Sequence, residues 1–263
     1  MKILIFGSNG LVGSSLTRTL KNAGYEVIPS SRQDTNLFSF NETKEKVLKE
    51  NPNIIVNAAA KVGGIYANNT MRTEFILENL KINMNILESS IGVQNLKIIN
   101  LGSSCIYPLN AVNPITEDSI MTGPLEPTNS PYAMAKLTAI EIGDSLRKQY
   151  GMDIVNLMPT NLYGPNDNFT KEHSHVIPGL ISRMYEAKIK NEKEFYIWGS
   201  GKPLREFLFV DDLSDCINFI IDNDIKENLI NVGSGDEISI LDLAKNIKDI
   251  VKYDGKLVFD SSK

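Results

Sequence analysis

Three glycines at regular spacing, directly after the first apolar run, constrain the fold of this chain more than any other feature. Residues 2–6 form a short β-type run, and the pattern Gly7-x-x-Gly10-x-x-Gly13 follows at once. Residues 11–23 then carry apolar side chains at helical spacing. A strand, a glycine turn and a helix form the context that a phosphate-binding loop requires. Glycines let the backbone approach a pyrophosphate, and the helix N-terminus supplies N–H donors.

This turn and the helix start are therefore predicted to hold the phosphates of a dinucleotide. The first two glycines lie one residue further apart than in the common dinucleotide fingerprint. A bare tight turn is the alternative, because any such turn favours glycine. The residues expected to contact the dinucleotide are Gly7, Ser8, Asn9, Gly10, Leu11, Val12 and Gly13.

The tip of the second predicted strand, residues 25–29, indicates which dinucleotide binds. Sites that prefer NAD usually carry an acid there, which binds the ribose hydroxyls. Here the tip is Ser30-Ser31-Arg32, and the first carboxylate after it is Asp34. An arginine beside two hydroxyls suits a ribose phosphate, so the sequence favours NADP, with a solvated loop arginine as the alternative reading of Arg32.

Strand and helix patterns alternate through the first 158 residues. Three further apolar runs read as buried parallel strands, and the alanines after the first of them, Ala59 among them, would let a flat cofactor lie against the sheet edge. This rhythm predicts an α/β fold with a doubly wound parallel (Rossmann-type) sheet. The strand patterns lie at 54–57, 96–101 and 153–157, and the helical patterns at 42–50, 70–90 and 130–149.

The rhythm breaks after residue 158. We expect residues 1–158 to form an NADP-binding domain, rejoined by part of 206–232. Residues 159–263 are expected to form a smaller, discontinuous C-terminal substrate lobe. Ligand is expected between the two parts.

Bulk composition excludes several classes of function. The net charge of −5 argues against a nucleic-acid partner, which usually meets a basic face. The apolar runs fall short of the roughly 20 residues that cross a bilayer, and the first residues are too short a run for a secretory signal. Two cysteines, Cys105 and Cys216, make no disulfide framework, so a cytoplasmic protein is expected, and no metal site is predicted.

A run of small and reactive residues follows the strand at 96–101. It reads Gly102-Ser103-Ser104-Cys105-Ile106-Tyr107-Pro108, and it lies where open α/β sheets bind ligands. Packing and chemistry are both possible readings of these hydroxyls and this thiol. The loop that follows, 109–131, is long for a compact domain, which is more typical of a functional rim.

One tyrosine stands apart from the other eight, because it alone has a lysine four residues later. Tyr132 and Lys136 follow a helix start at Ser130-Pro131 and project from the same helix face. A surface pair on a helix is the plain alternative. Both histidines of the chain, His173 and His175, fall in the polar stretch 167–178.

These residues together resemble the extended short-chain dehydrogenase/reductase family over essentially the whole chain. The glycine turn, Ser103 and Tyr132-x-x-x-Lys136 match its cofactor turn and catalytic set in order. Other runs are similar to the members of that family that form GDP-L-fucose. They are Val62-Gly63-Gly64-Ile65, Gly102–Pro108, Pro159-Thr160-Asn161-Leu162-Tyr163-Gly164-Pro165, Ser174-His175-Val176-Ile177-Pro178, Trp198-Gly199-Ser200-Gly201 and Arg205-Glu206-Phe207.

The resemblance implies that NADPH is used to convert GDP-4-keto-6-deoxy-D-mannose to GDP-L-fucose by epimerisation and reduction. Cys105 would act as the base and His175 as the acid, both titrating near neutrality. Ser103 and Tyr132 would stabilise the developing oxyanion, and Tyr132 would protonate it during reduction. Lys136 would hold the ribose and lower the pKa of the tyrosine. His173 lacks a family match.

The resemblance also implies a set of ligand contacts and a homodimer. Arg183 and Arg205 match positions that contact the diphosphate, and Trp198 a position that lines the substrate site, with surface salt bridging as the alternative. The dimer would form through the helices 70–90 and 132–149. Besides the residues of the glycine turn, the cofactor contacts would be Arg32, Ala59, Leu101, Gly102, Ser103, Ser104, Tyr132, Lys136, Pro159, Thr160, Asn161, Leu162 and His175.

The family continues beyond the position where this sequence stops, so its substrate lobe is expected to be shortened here. Two other functions remain open at this level. The chain could be a different NAD(P)-dependent sugar-nucleotide epimerase or dehydratase, or a dinucleotide-binding protein without catalysis.

Overall fold

The computed structural model describes residues 1–170 and 174–260, and its largest unit is a parallel sheet of six strands. The strands are β1 (Lys2–Phe6), β2 (Glu26–Ser30), β3 (Ile54–Asn57), β4 (Lys97–Leu101), β5 (Asp153–Pro159), β6 (Asn161–Tyr163), β7 (Glu194–Trp198), β8 (Leu204–Phe209), β9 (Leu229–Val232), β10 (Glu237–Ser239) and β11 (Lys256–Asp260). The helices are α1 (Leu11–Asn22), α2 (Phe40–Glu50), α3 (Ile65–Thr70), α4 (Arg72–Ser89), α5 (Ser130–Tyr150), α6 (Val176–Ile189), α7 (Val210–Asp222) and α8 (Ile240–Val251).

The order of the large sheet is β2-β1-β3-β4-β5-β9, with every neighbouring pair parallel. The chain first moves outwards from β1 to β2 and then returns to the other side of β1 with β3. The crevice at such a reversal, outside the carboxyl ends of the strands, is where open α/β sheets bind ligands. The predicted doubly wound parallel sheet is confirmed.

Apolar side chains fill both faces of this sheet because helices cover both. Ile3 and Ile5 pack on the side of α1 and α7, and Leu4 and Phe6 on the side of α2, α4 and α5. All four side chains are fully buried. Each such burial stabilises the fold by about 1.5–3 kcal/mol, which explains why the strand sequences read as continuous apolar runs.

A smaller unit is built from the second half of the chain. Its sheets have the orders β10-β8-β6 and β11-β7. Helices α6 and α8 pack on each other over a separate apolar core that includes Leu180, Met184, Phe195 and Ile247. Strand β9 leaves this unit and pairs with β5, so the large sheet also draws on the second half.

Short elements account for most differences from the predicted secondary structure. The long helix expected at 70–90 begins at Arg72 instead, after the short helix α3. Strand β8 ends at Phe209, and α7 begins at the next residue. Strands β6, β10 and β11 were not predicted. Among the described residues, no helix combines the length and the apolar content that a membrane crossing needs.

Candidate active site

The glycine turn packs directly against the end of β3. Gly7 has φ +81°, and a Cβ there would lie 2.7 Å from the carbonyl oxygen of Ala58 and from the amide nitrogen of Ala59. A Cβ on Gly13 would lie 2.1 Å from the carbonyl oxygen of Gly7. Both positions exclude any side chain, so the turn and the first turn of α1 form a bare backbone surface at the sheet edge.

Helix α1 presents its amide groups at this surface. Gly10 is its N-cap residue, and the first helical hydrogen bond runs from Ser14 N–H to the Gly10 carbonyl at 2.9 Å. The N–H groups of Leu11, Val12 and Gly13 precede that bond, and the positive end of the helix dipole lies with them. This cradle fits the pyrophosphate of a dinucleotide.

The tip of β2 fits a phosphorylated ribose. The Asp34 carboxylate turns back and accepts hydrogen bonds from Ser31, from N–H at 2.8 Å and from Oγ at 2.6 Å. These bonds lower the pKa of Asp34. Arg32 is exposed, and within residues 1–170 and 174–260 no carboxylate forms an ion pair with it. A cation therefore faces solvent where an acid would select a plain ribose.

The end of β4 turns sharply at the predicted serine and cysteine residues. Gly102 N–H donates to the Leu157 carbonyl at 2.8 Å, and a Cβ on Gly102 would collide with the Met158 side chain at 2.1 Å. Ser103 then caps a short 3-10 turn (Ser104–Ile106), its Oγ accepting from Cys105 N–H at 3.3 Å. The Ser103 hydroxyl also favours the ionised form of the Cys105 thiol.

Helix α5 brings Tyr132 and Lys136 to the same place. Lys136 is 2% exposed, and its ammonium group donates to the Leu101 carbonyl at 2.6 Å. Its Nζ lies 5.7 Å from the centroid of the Tyr132 ring, whose edge packs on Phe75 with a centroid separation of 6.3 Å. Ser103, Cys105, Tyr132 and Lys136 therefore converge at the end of β4.

Burial sets the ionisation of this group, and it corrects two expectations. Desolvation raises the pKa of Cys105 to about 11, partly opposed by Ser103 and by the charge of Lys136. The expected titration of Cys105 near neutrality is therefore wrong for this structure. Burial also raises the pKa of Tyr132, where a lowering by Lys136 was expected. The pKa of Lys136 itself falls to about 8, because burial disfavours its charged form.

His175 lies at the start of α6, where the loop after β3 holds the chain in place. A Cβ on Gly64 would lie 2.5 Å from the Ser174 carbonyl oxygen, and one on Gly179 would lie 2.7 Å from the Ser174 hydroxyl. Ser174 is thus held between two glycines, and His175 follows as the N-cap residue of α6. The other histidine, His173, lies outside the described residues.

An arginine stacked between two aromatic rings marks the smaller unit. The guanidinium carbon of Arg183 lies 4.8 Å from the Trp198 ring centroid and 5.1 Å from that of Phe195. Burial lowers the pKa of Arg183. Stacking of this kind fixes a cation and an indole plane together, which suits a nucleotide. Arg205 is exposed on β8, and its Nη1 donates to the Leu204 carbonyl at 2.7 Å.

The residues after β5 form the remaining wall. Thr160 N–H donates to the Val232 carbonyl at 3.0 Å, and its buried hydroxyl has no hydrogen-bond partner within the described part of the chain. Asn161 is exposed, its amide donating to the Glu206 carbonyl at 2.9 Å, and Leu162 packs into the core of the large sheet. Pro159 is buried at the end of β5.

Sequence reasoning missed three charged residues near this site. Asp167 is close enough to His175 for the histidine charge to lower its pKa, although burial raises that pKa overall. Its position in the polar stretch 167–178 was the available signal. Arg72 and Glu126 hold the turn before Tyr132, and no local pattern marks them. In the described ranges, no three histidine, cysteine or acidic side chains are placed to hold a metal ion.

Comparisons with known proteins identify the family. Residues 3–233 match the NAD dependent epimerase/dehydratase family. The chain is 46% identical over 262 residues to the GDP-L-fucose synthase of Sinorhizobium fredii, covering 100% of this chain and 83% of that protein. It is 42% identical to the GDP-L-fucose synthase of Escherichia coli, with 100% and 85% covered. A solved GDP-L-fucose synthetase from Naegleria fowleri bound to NADP matches with a TM-score of 0.87 and 31% identity, covering 100% of this chain and 82% of that one. The chain therefore belongs to the NAD dependent epimerase/dehydratase family.

Proposed function

We propose that this chain is an NADPH-dependent enzyme that epimerises and reduces GDP-4-keto-6-deoxy-D-mannose to GDP-L-fucose. Relatives that carry the name GDP-L-fucose synthase cover the whole chain at 42% and 46% identity. One observation carries the proposal within the site. Cys105 lies two residues beyond Ser103 and is half-buried beside Tyr132 and Lys136, so a thiol suited to proton transfer adjoins the proposed reductase centre.

NADPH is the proposed cofactor, and when bound it supplies the hydride that reduces the ketone. The bare backbone of the glycine turn fits its pyrophosphate, and the exposed Arg32 fits the ribose phosphate. Ala59 follows the end of β3, and Thr160 follows the end of β5, at the same edge of the large sheet. The buried Thr160 hydroxyl lacks a hydrogen-bond partner in the described part of the chain. We place Leu101, Gly102, Ser104, Pro159, Asn161 and Leu162 among the contacts of NADPH.

Epimerisation needs a base beside the ketone and an acid on the opposite face of the sugar. Cys105 is proposed to remove the proton from each carbon next to the carbonyl. His175, at the start of α6, is proposed to return a proton to the opposite face of the sugar. Charge then develops on the ketone oxygen of the sugar. The hydroxyls of Ser103 and Tyr132 are proposed to donate hydrogen bonds to that oxygen, which stabilises the enolate.

Reduction uses the same oxygen site. Tyr132 is proposed to deliver its proton to the ketone oxygen as the carbon is reduced. Lys136 is held against the Leu101 carbonyl, which places its ammonium group beside the tyrosine ring, and it is proposed to hold the ribose of the cofactor. One set of donors at the end of β4 therefore serves both half-reactions.

The two units of the fold are proposed to divide the work. Residues 1–158, with β9 and its neighbours from 206–232, would bind the cofactor. Residues 159–263 would bind the GDP group, using the stacked pair of Arg183 and Trp198 together with Arg205. The crevice between them would hold the keto sugar.

A cytoplasmic homodimer completes the proposal. Both cysteines are free thiols, as a reducing compartment and a catalytic thiol require. Helices α4 and α5 pack together, and both present exposed apolar residues on their outer side. A second copy of the chain is proposed to cover this surface and to complete a four-helix bundle.

Product analysis with the keto sugar nucleotide tests the proposed function. We expect NADPH consumption and formation of GDP-L-fucose, and in D₂O without NADPH we expect deuterium at both carbons beside the ketone. Reduction without deuterium incorporation would point to a simple ketone reductase. A tightly bound, recycled cofactor would point to another sugar-nucleotide epimerase or dehydratase. Cofactor binding without any turnover would leave a non-catalytic dinucleotide-binding protein.

A further inference from the structure

A carboxylate organises the turn that leads into the helix of Tyr132. The Glu126 side chain accepts hydrogen bonds from Thr128 N–H, at 3.1 Å to each of its oxygens, and from Asn129 N–H at 3.1 Å. It also accepts from the Thr128 hydroxyl at 2.5 Å. One carboxylate therefore accepts hydrogen bonds from the two backbone N–H groups, of Thr128 and Asn129, just before α5.

An arginine from a different helix donates hydrogen bonds to the carbonyl groups of the same turn. Arg72, the first residue of α4, donates to the Pro127 carbonyl at 2.9 Å and to the Thr128 carbonyl at 3.2 Å. Its other terminal nitrogen donates to the Ser130 hydroxyl at 3.1 Å. The planar guanidinium group spans three acceptors, which a lysine ammonium cannot do in the same geometry.

The turn held in this way sets the position of Tyr132. Asn129 is the N-cap residue of α5, and its carbonyl accepts the first helical hydrogen bond from Ala133 N–H at 3.0 Å. Tyr132 follows within the first turn and packs on Phe75, three residues after Arg72 in α4. The start of α4 thus holds both the turn and the ring.

The charge of Glu126 also reaches the thiol. It opposes ionisation of Cys105, while the Ser103 hydroxyl and the Lys136 ammonium group favour the thiolate. Burial opposes ionisation of Glu126, but the hydrogen bonds from Thr128 and Asn129, followed by the charge of Arg72, lower its pKa overall. Tyr132 is the fourth ionisable or polar group facing the thiol, and it belongs to the helix that the turn begins.

We propose that Arg72 and Glu126 are positioning residues, which hold the turn 127–130 from its two sides and so fix Tyr132 beside Cys105. The proposal rests on the proposed function for its catalytic meaning. Its geometric part does not, since it concerns only how this chain arranges its own tyrosine and thiol. Neither residue needs to touch the substrate.

The thiol itself provides the first test, without any turnover. In a Cys216→Ala background, Cys105 is the only thiol of the chain, and its ionisation can be followed as the rate of alkylation by iodoacetamide against pH. Glu126→Gln removes a negative charge and one acceptor. We expect the alkylation rate at pH 8 to rise, because the negative charge of Glu126 opposes formation of the Cys105 thiolate. An unchanged alkylation profile would overturn the link between Glu126 and Cys105.

Reduction kinetics provide the second test. Arg72→Lys keeps the positive charge but loses the planar guanidinium group that reaches three acceptors. We therefore expect kcat for ketone reduction to fall about tenfold, with KM for NADPH unchanged. In a Tyr132→Phe background the same change should have no further effect, because Arg72 acts through the tyrosine hydroxyl. Full activity of Arg72→Lys, or equal losses in both backgrounds, would overturn the positioning role.

Asp242→Asn supplies the matched control. Asp242 also lies at a helix start, where it pairs with Ser239 at 2.7 Å, but it belongs to α8 in the smaller unit. We expect its substitution to leave both the alkylation profile and kcat at the wild-type values. If the chain proves to lack the proposed activity, the alkylation test still decides whether Glu126 acts on the thiol.

Discussion

At the scale of single residues, burial disfavours the charged forms of Cys105, Tyr132 and Lys136 in the candidate site. The pKa of Cys105 rises to about 11 and that of Lys136 falls to about 8. A rise of this size from the ordinary value of the thiol costs about 3 kcal/mol for forming the thiolate. The free protein therefore holds a neutral thiol at neutral pH, and the proposed proton abstraction by Cys105 must include this cost.

This ionisation state predicts the pH dependence of proton exchange. Only the thiolate can act as base, and below its pKa the thiolate fraction rises tenfold per pH unit. We expect deuterium incorporation into the keto sugar to rise with a logarithmic slope near one between about pH 6 and 8. Above about pH 8 the slope should fall, because Lys136 loses the charge that favours the thiolate.

Exchange rates measured by NMR across that range check this prediction. Cys105→Ser is the control, and it should remove the exchange at every pH while leaving cofactor binding intact. A wild-type exchange rate that stays constant between pH 6 and 8 would show that the thiol is already ionised, contrary to the burial argument.

Removing the hydroxyl of Tyr132 separates its chemistry from its packing. Tyr132→Phe retains the edge-to-face contact with Phe75, so the fold should be preserved. We expect ketone reduction to slow by about 10²–10⁴, as loss of a general acid does. Exchange should fall less, because Ser103 remains as a donor to the oxyanion. Single-turnover NADPH oxidation measures the first effect, and a variant that reduces the ketone at the wild-type rate would exclude Tyr132 as the acid.

The residue scale also shows where sequence reasoning stops. The spacing of Tyr132 and Lys136 predicted that they share a helix face, and the family resemblance implied that they meet Ser103 in one site. Their pKa values depend on how completely the surrounding elements exclude water, which no local pattern records. Glu126 and Arg72 escaped prediction for the same reason, since 54 positions separate them and only the fold brings them to one turn.

At the scale of elements, the start of α6 is tied to the loop after β3. Ser174 is held between Gly64 and Gly179, and His175 follows it directly. Asn68, in α3, donates from its amide to the carbonyls of Gly63, at 2.7 Å, and Gly64, at 3.1 Å, which fixes the loop. The large sheet therefore sets the place of a residue that belongs to the smaller unit.

Adding one methyl group to this contact should misplace the proposed acid. Gly64→Ala puts a Cβ 2.5 Å from the Ser174 carbonyl, so either the loop or the start of α6 must move. We expect inversion of the sugar to slow about ten- to a hundredfold, while Cys105 still exchanges protons with solvent. The ratio of deuterium exchange to epimerised product should therefore rise.

Val62→Ala is the matched control for that experiment. Val62 is exposed in the same loop, and its truncation leaves the backbone contact with Ser174 intact. Both exchange and inversion should keep their wild-type rates in this variant. Equal losses of exchange and inversion in Gly64→Ala would contradict a specific role of the contact in placing His175.

Long periodic elements could be predicted from sequence, and short ones could not. Strands β1, β3 and β4 are runs of Ile, Leu, Val and Phe buried on both faces, so their composition alone identifies them. Strand β6 has three residues and β10 also three, which is too few for a period to appear. Helix α3 has only six residues and follows two glycines, and Asn68 stabilises its start by donating to the carbonyls of Gly63 and Gly64.

At the scale of the whole molecule, the arrangement of the sheets explains why distant motifs meet. The reversal between β1 and β3 puts the glycine turn next to the end of β3, and the parallel order β3-β4-β5 aligns the ends of those strands at one edge. Because β9 returns to pair with β5, the chain crosses between the two units more than once.

The surface of α4 and α5 predicts the assembly of the molecule. Leu77 and Met84 are 48% and 44% exposed, lie seven residues apart on one face of α4, and are joined by Met134 of α5, which is 46% exposed. We expect sedimentation of the wild-type protein to give twice the chain mass of 29.2 kDa. The double variant Leu77→Glu, Met84→Glu should be a monomer, because four negative charges would meet across the two-fold axis of the dimer. Ile250→Glu, at an 80% exposed position on α8, is the control and should remain a dimer. A wild-type monomer, or a double variant that still dimerises, would place the interface elsewhere or remove it.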